Sequence, residues 1–151
     1  MAWAYFDTSA VVKRYIDEPG RPQVLHLLRR HACVISAVLP VELRSALRRR
    51  VSEGSLEKER VPEILKRLES DRAFWTLVAA SSEVLADAET LVAAHPLRAL
   101  DAIHIASAQL FAARITAPKL IFVSADVRQI AAAAAVGMTT RQIRSGSPSS
   151  Q

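Results

Sequence analysis

Apolar residues along this chain gather in short runs, and stretches of helical periodicity separate them. Trp3, Ala4, Tyr5 and Phe6 run up to Asp7, and helix-forming sequence follows at once. This pattern predicts a buried strand over 3–7 and a helix over 9–16, capped by Thr8 or Ser9. Asp17-Glu18-Pro19-Gly20 then supplies turn chemistry. Val24, Leu25, Leu27 and Leu28 mark a short amphipathic helix over 23–31, and 33–36 reads as a second strand. Ser36 is the expected N-cap of a long helix that runs through Glu42 to about Ser52 and stops at Gly54. Pro40 sits early in that helix and predicts a lost first-turn hydrogen bond or a bend.

The second half repeats the alternation. Leu56, Val61, Ile64, Leu65 and Leu68 predict a helix over 55–68, and 73–78 a third strand. Phe74 and Trp75 in that strand, like Trp3 in the first, are expected in the core. Ser82 opens a helix that ends near His95-Pro96. The next helix, over 100–115, is apolar nearly all round, which predicts deep burial. Residues 119–124 form a fourth strand, with Asp126 directly after it. An alanine-rich helix over 127–136 closes at Gly137, and 138–143 reads as an edge strand. Strands alternating with helices imply an α/β three-layer fold, a central twisted parallel sheet flanked by helices. The expected organisation is one domain over 1–143 and a Ser/Gly/Pro-rich, disordered tail over 144–151. No internal repeat is present.

Composition narrows the class. Half of the 151 residues are hydrophobic, which excludes a disordered protein, and aromatics are few, so Leu, Val, Ile and Ala must fill the core. The net charge is +5 and the sequence pI is near 10.0. Such a surface suits phosphate-bearing partners or an acidic protein, and equally describes a solvated basic surface. Cys33 is the single cysteine, so no intrachain disulfide forms. Its apolar setting predicts a buried, unreactive thiol. No apolar run is long enough to span a bilayer, and Lys13 and Arg14 follow the first apolar run instead of preceding it as in a signal peptide. A cytoplasmic location is therefore expected.

Four acids stand out. Asp7 and Asp126 end predicted strands, where open α/β sheets bind their ligands. Each also has the simpler reading of a helix N-cap. Glu42 reads either as an exposed helix glutamate or as a group packed over that sheet edge. Asp101 opens the apolar helix, either satisfied by backbone amides or facing the same edge. Gathered carboxylates repel one another unless a cation or shared protons hold them. Oxygen donors without Cys or His favour Mg²⁺ or Mn²⁺, which suits phosphodiester chemistry. His104, one turn after Asp101, reads as a base, a metal ligand or a hydrogen-bonded histidine near the site. Arg44, Arg48, Arg49 and Arg50 follow Glu42 and either flank the pocket or form a solvated face.

Four motifs carry a resemblance in their order and spacing. They are Asp7-Thr8-Ser9-Ala10, Val-Glu42-Leu-Arg-Ser-Ala-Leu, Leu-Asp101-Ala-Ile-His-Ile-Ala, and Val-Ser124-Ala-Asp126 ahead of Ala-Ala-Ala-Val-Gly137. Together they resemble the acidic motifs of PIN-domain ribonucleases, most closely the VapC toxins of bacterial toxin–antitoxin pairs. The resemblance runs from about Trp3 to Ile143. It implies a PIN-like fold and a Mg²⁺- or Mn²⁺-dependent endoribonuclease. Asp7, Glu42, Asp101 and the more variable Asp126 would be the catalytic, metal-holding acids, with Ser124 and Thr8 in support. RNA would meet Arg44, Arg48 and Arg49. A homodimer and a neutralising VapB-type antitoxin are implied as well. Two other classes compete: a non-catalytic PIN-like module that binds RNA or protein, and a phosphoacceptor signalling domain. The second would want an acidic neighbour for Asp7 and a lysine after a late strand, and Lys119 precedes its strand.

Overall fold

The central strands carry apolar residues on both of their faces, and the chain meets this by covering both faces of one sheet with helices. The computed structural model describes residues 1–115 and 119–145, so most of the predicted tail, 146–151, lies outside the described residues. The strands are β1 (Ala2–Phe6), β2 (His31–Ser36), β3 (Thr76–Val78), β4 (Ile121–Ser124) and β5 (Thr139–Gln142). All pair in parallel, in the order β3-β2-β1-β4-β5. The predicted α/β three-layer fold, a twisted parallel sheet between helices, is the one observed.

Side chains alternate between two cores, as a period of two requires. Ala4, Phe6, Cys33, Ile35 and Val123 point to one face. There they meet α1 (Thr8–Tyr15), α2 (Arg21–Arg30), α3 (Leu39–Ser52) and α4 (Val61–Arg72). Tyr5, Val34 and Phe122 point to the other, against α5 (Ser82–Ala94), α6 (Ala99–Ile115) and α7 (Val127–Ala135). Fully buried side chains such as Phe6, Phe122 and Ile35 each contribute about 2 kcal/mol.

The strand order creates the site. From β1 the chain moves outward to β2 on one side, and from β4 it moves to β5 on the other. The switch point therefore lies between the carboxyl ends of β1 and β4, where parallel sheets open a crevice. Asp7 and Asp126 follow these two strands, and the Asp7 amide donates to the Val123 carbonyl at 3.1 Å.

Several expectations need correction. Asp7 itself caps α1, not Thr8 or Ser9. Ser36 does not cap α3; its hydroxyl accepts from the Val38 amide at 3.2 Å, just ahead of the helix. Pro40 falls in the first turn of α3, where no intrahelical N–H is needed, so it removes no bond there. The helix predicted over 55–68 is a 3-10 turn at Lys58–Arg60 followed by α4, because Pro62 is tolerated only near a helix start. The third strand shrinks to Thr76–Val78, since the Phe74 and Trp75 amides are used in turn bonds to Asp71 and Arg72. Phe74 is consequently 88% exposed, while Trp75 packs against the core from outside any strand. Finally, α6 is buried all round in its middle, over 104–108, as expected, but not at its ends, where Leu100 is 43% exposed.

Candidate active site

Asp7 is both helix cap and site residue. Its Oδ1 accepts from the Ala10 amide at 3.2 Å and from the Ser9 hydroxyl at 2.7 Å, and the residue is 5% exposed. Burial raises its pKa to about 6, and nearby Glu42 pushes the same way, while His104, Ser9 and Ala10 oppose the rise. Ser9 does more than orient this carboxylate. Its hydroxyl also accepts from the Ala125 amide at 2.9 Å and lies 3.3 Å from the Ser124 hydroxyl. One side chain thus ties the end of β1 to the end of β4.

Glu42 projects from the first turn of α3 and is held through one oxygen. Its Oε1 accepts from the Thr8 hydroxyl at 2.9 Å and lies 2.5 Å from Nε2 of His104. Behind it, Nδ1 of His104 is 2.8 Å from the Tyr5 hydroxyl. One neutral tautomer satisfies both contacts, with the Tyr5 O–H donating to Nδ1 and the His104 Nε2–H donating to Glu42. Tyr5 and His104 are buried, and Tyr5 stacks on Phe122 at 5.5 Å between ring centres. His104 is thus a buried histidine hydrogen-bonded on both sides of its ring beside the site.

Asp101 accepts from the Arg98 amide through Oδ2 at 3.3 Å, as an acid in a first helical turn should. Burial raises its pKa, and the charge of Asp126 adds to the rise. Asp126 caps α7, taking the Arg128 and Gln129 amides on Oδ1 at 2.9 and 3.3 Å. Buried Ser124 accepts from the Asp126 amide at 3.0 Å and donates to Oε1 of Gln129 at 2.8 Å. Gln129 also donates to the Asp101 carbonyl at 3.3 Å, so it couples α6 to the β4–α7 turn.

The four acids therefore stand around one end of the sheet, with Asp7 influenced by Glu42 and Asp101 by Asp126. Glu42 and Asp101 line a groove of about 490 Å³ together with Ser45, Arg49 and Arg98. Arg49 lies two helical turns after Glu42 and shares its face. Arg44 and Arg48 are exposed elsewhere on α3, and Arg50 pairs with Glu18 at 3.2 Å. Ser9, Tyr5, Gln129 and Arg98 were missed by sequence reasoning. Only Gln129 had a local signal, as the last residue of an Asp-x-x-Gln capping pattern.

Among the described residues, no three Asp, Glu, His or Cys side chains are grouped so as to hold a metal ion. The donor chemistry nonetheless fits Mg²⁺ or Mn²⁺. These ions take carboxylate oxygens and keep several waters, so one or two carboxylates suffice. Repelling acids at the site are the kind of donor a dication relieves.

Comparison with known proteins agrees with the fold. A toxin–antitoxin complex from Klebsiella pneumoniae is similar in fold (TM-score 0.59, 18% identity, 85% of this chain and 90% of that one). FitAcB from Neisseria gonorrhoeae gives a TM-score of 0.62 at 16% identity, over 91% of this chain and 95% of that one. PAE2754 from Pyrobaculum aerophilum gives 0.61 at 16% identity, over 87% and 84%. No curated protein matches the sequence significantly. The model of the PIN domain matches residues 4–135, most of the described fold. This chain belongs to the PIN domain family.

Proposed function

We propose that the chain is a metal-dependent endoribonuclease and acts as the toxin of a VapBC-type toxin–antitoxin pair. The observation that carries this reading is that Asp7 and Asp126 follow the two strands flanking the switch point, with Ser9 bonded to Asp7 and to the Ala125 amide, and that Glu42 and Asp101 share one groove. Asp7, Glu42, Asp101 and Asp126 would hold Mg²⁺ or Mn²⁺. Bound there, the ion supplies a Lewis acid for the phosphate and a lower pKa for the attacking water.

The chain's own residues do the rest. Thr8 and His104 engage Oε1 of Glu42 and so fix the direction of its carboxylate. Ser9 fixes Asp7. Ser124 and Gln129 hold the turn that carries Asp126. These contacts limit motion of the acids, so their geometry is set before substrate arrives. Water oriented by the carboxylates would attack phosphorus and give its proton to one of them, while the P–O bond opposite breaks and the departing ribose oxygen takes up a proton from solvent. Arg49 and Arg98 offset the negative charge of the acids and let a polyanion approach. Arg44 and Arg48 would extend this attraction along α3.

The toxin assignment draws on structural neighbours, the toxin–antitoxin complex from Klebsiella pneumoniae and FitAB bound to a DNA fragment. A VapB-type antitoxin would act here by covering the acids, for example with an Arg or Lys. A homodimer fits the apolar groove between α5 and α6, where Leu85 and Val92 are 44% and 41% exposed. No helix among the described residues is long and apolar enough to cross a membrane. An RNA target accords with a cytoplasmic location.

Incubating the purified chain with a mixed RNA pool in Mn²⁺, Mg²⁺ or EDTA tests this reading. Internal cutting only with metal supports it. Retained RNA binding without cutting, across several RNA classes, would favour the non-catalytic binding module.

A further inference from the structure

We propose that Lys13, Glu18 and Arg50 form an anion subsite for an RNA phosphate that flanks the one cut at the acids. The proposal rests on the ribonuclease reading above. Lys13 lies on α1 one turn beyond Ser9 and is only 4% exposed, so its ammonium needs a partner. Glu18 provides it at 3.2 Å. The same carboxylate takes Nε and Nη2 of Arg50 at 3.2–3.3 Å. Two cations thus share one acid, and the cluster keeps one net positive charge.

Lys13, Glu18 and Arg50 line a cavity of about 540 Å³ together with Ser9 and Asp126, whose carboxylate balances the surplus charge until a cation engages it. Ser9 binds Asp7, and Asp126 adjoins Asp101 electrostatically, so this cavity opens onto the acid site. The groove with Arg49 and Arg98 lies beside Glu42 and Asp101. Each recess therefore sets two cationic side chains beside two acids, Lys13 and Arg50 with Glu18 and Asp126, and Arg49 and Arg98 with Glu42 and Asp101. A single strand crossing them would leave its scissile phosphate at the carboxylates and a neighbouring phosphate at Lys13 and Arg50. A simple tether between α1 and α3 would need only one cation on Glu18. The second makes the cluster suited to a phosphodiester, which Arg and Lys bind with charge-assisted hydrogen bonds.

The test measures binding of a short fluorescein-labelled single-stranded RNA in EDTA over a range of KCl concentrations. Parent, Lys13→Gln, Arg50→Gln and Glu18→Gln chains are compared, each checked by thermal melting. Manganese-dependent cleavage by the parent is recorded alongside. Lys13→Gln and Arg50→Gln each weaken binding about tenfold at low salt. Each also flattens the slope of log Kd against log salt by about 0.7. Glu18→Gln tightens binding severalfold, because it removes the competing carboxylate; a tether alone predicts no tightening. Should a buried change prevent folding, the partly exposed Arg50 decides. An unchanged salt slope in folded Arg50→Gln overturns the subsite. If the parent still cuts, the nuclease reading survives. Binding with these slopes but no cutting keeps the subsite and removes the nuclease. A parent that neither binds nor cuts RNA overturns both.

Discussion

His104 and Glu42 are 62 positions apart in the chain, yet Nε2 of the one lies 2.5 Å from Oε1 of the other. Tyr5 holds the far side of the same ring at 2.8 Å. An imidazole fixed this way orients a carboxylate as partners behind metal ligands do. His104→Ala should lower the cleavage rate and Mn²⁺ affinity by about 10- to 100-fold. His104→Gln, which keeps an N–H donor, should recover part of the loss, and Tyr5→Phe should cost less than His104→Ala. Steady-state cleavage and Mn²⁺ titration of the three variants check this order.

Burial raises Asp7 to about 6 against an ordinary value of 3.8. Between those pH values the folded chain binds more protons than the unfolded one, so stability falls as pH rises through this window. A rise of this size corresponds to about 3 kcal/mol. In EDTA, the melting temperature of the parent should therefore drop between pH 4 and pH 6 more than that of Asp7→Asn. Asparagine still caps a helix, so the variant should be the more stable at pH 7. Added Mn²⁺ should raise the melting temperature of the parent at pH 7 and leave the variant's nearly unchanged.

Ser9 serves two strands at once. Ser9→Ala frees Asp7 from a 2.7 Å bond and leaves the Ala125 amide without its acceptor. The expected loss is about 1–2 kcal/mol of stability, read by denaturant melts. Cleavage should fall further than stability explains, because Asp7 and Asp126 both lose their tie. Ser9→Thr should retain most of each.

Gly20 has φ +93°, and a Cβ there would meet the Arg144 carbonyl at 2.4 Å and Ile143 Cγ2 at 2.6 Å. Gly20→Ala should destabilise by about 2–4 kcal/mol, through both backbone strain and the clash. Thermal melts would show it directly. The same contact packs the segment after β5 against the turn before α2, next to the Lys13 cavity.

The sheet and its acids were legible because their signals are local. A strand that ends in Asp7, or in Ser124-Ala-Asp126, announces a strand-to-helix junction within a few residues. Parallel pairing then brings such junctions to one edge. The helix over 55–68 failed for an equally local reason, since Pro62, inside that range, marks a helix start. What stayed hidden depends on contacts between distant segments. Tyr5 and His104 are 99 positions apart, and Ser9 and Ala125 are 116 apart. No periodicity encodes which hydroxyl faces which carboxylate after the sheet forms. The arginines show the same limit. Arg44, Arg48 and Arg49 are neighbours in sequence, but the helical turn sends only Arg49 into the groove with Glu42.

The most direct measurement is cleavage of a mixed RNA pool by the parent and by Asp7→Asn, with Mn²⁺ or with EDTA. Internal cleavage by the parent in Mn²⁺, abolished by EDTA and reduced at least about 100-fold in the folded variant, is the expected result. Equal cutting by Asp7→Asn, or cutting by the parent that persists in EDTA, would contradict a metal-dependent reaction at these acids.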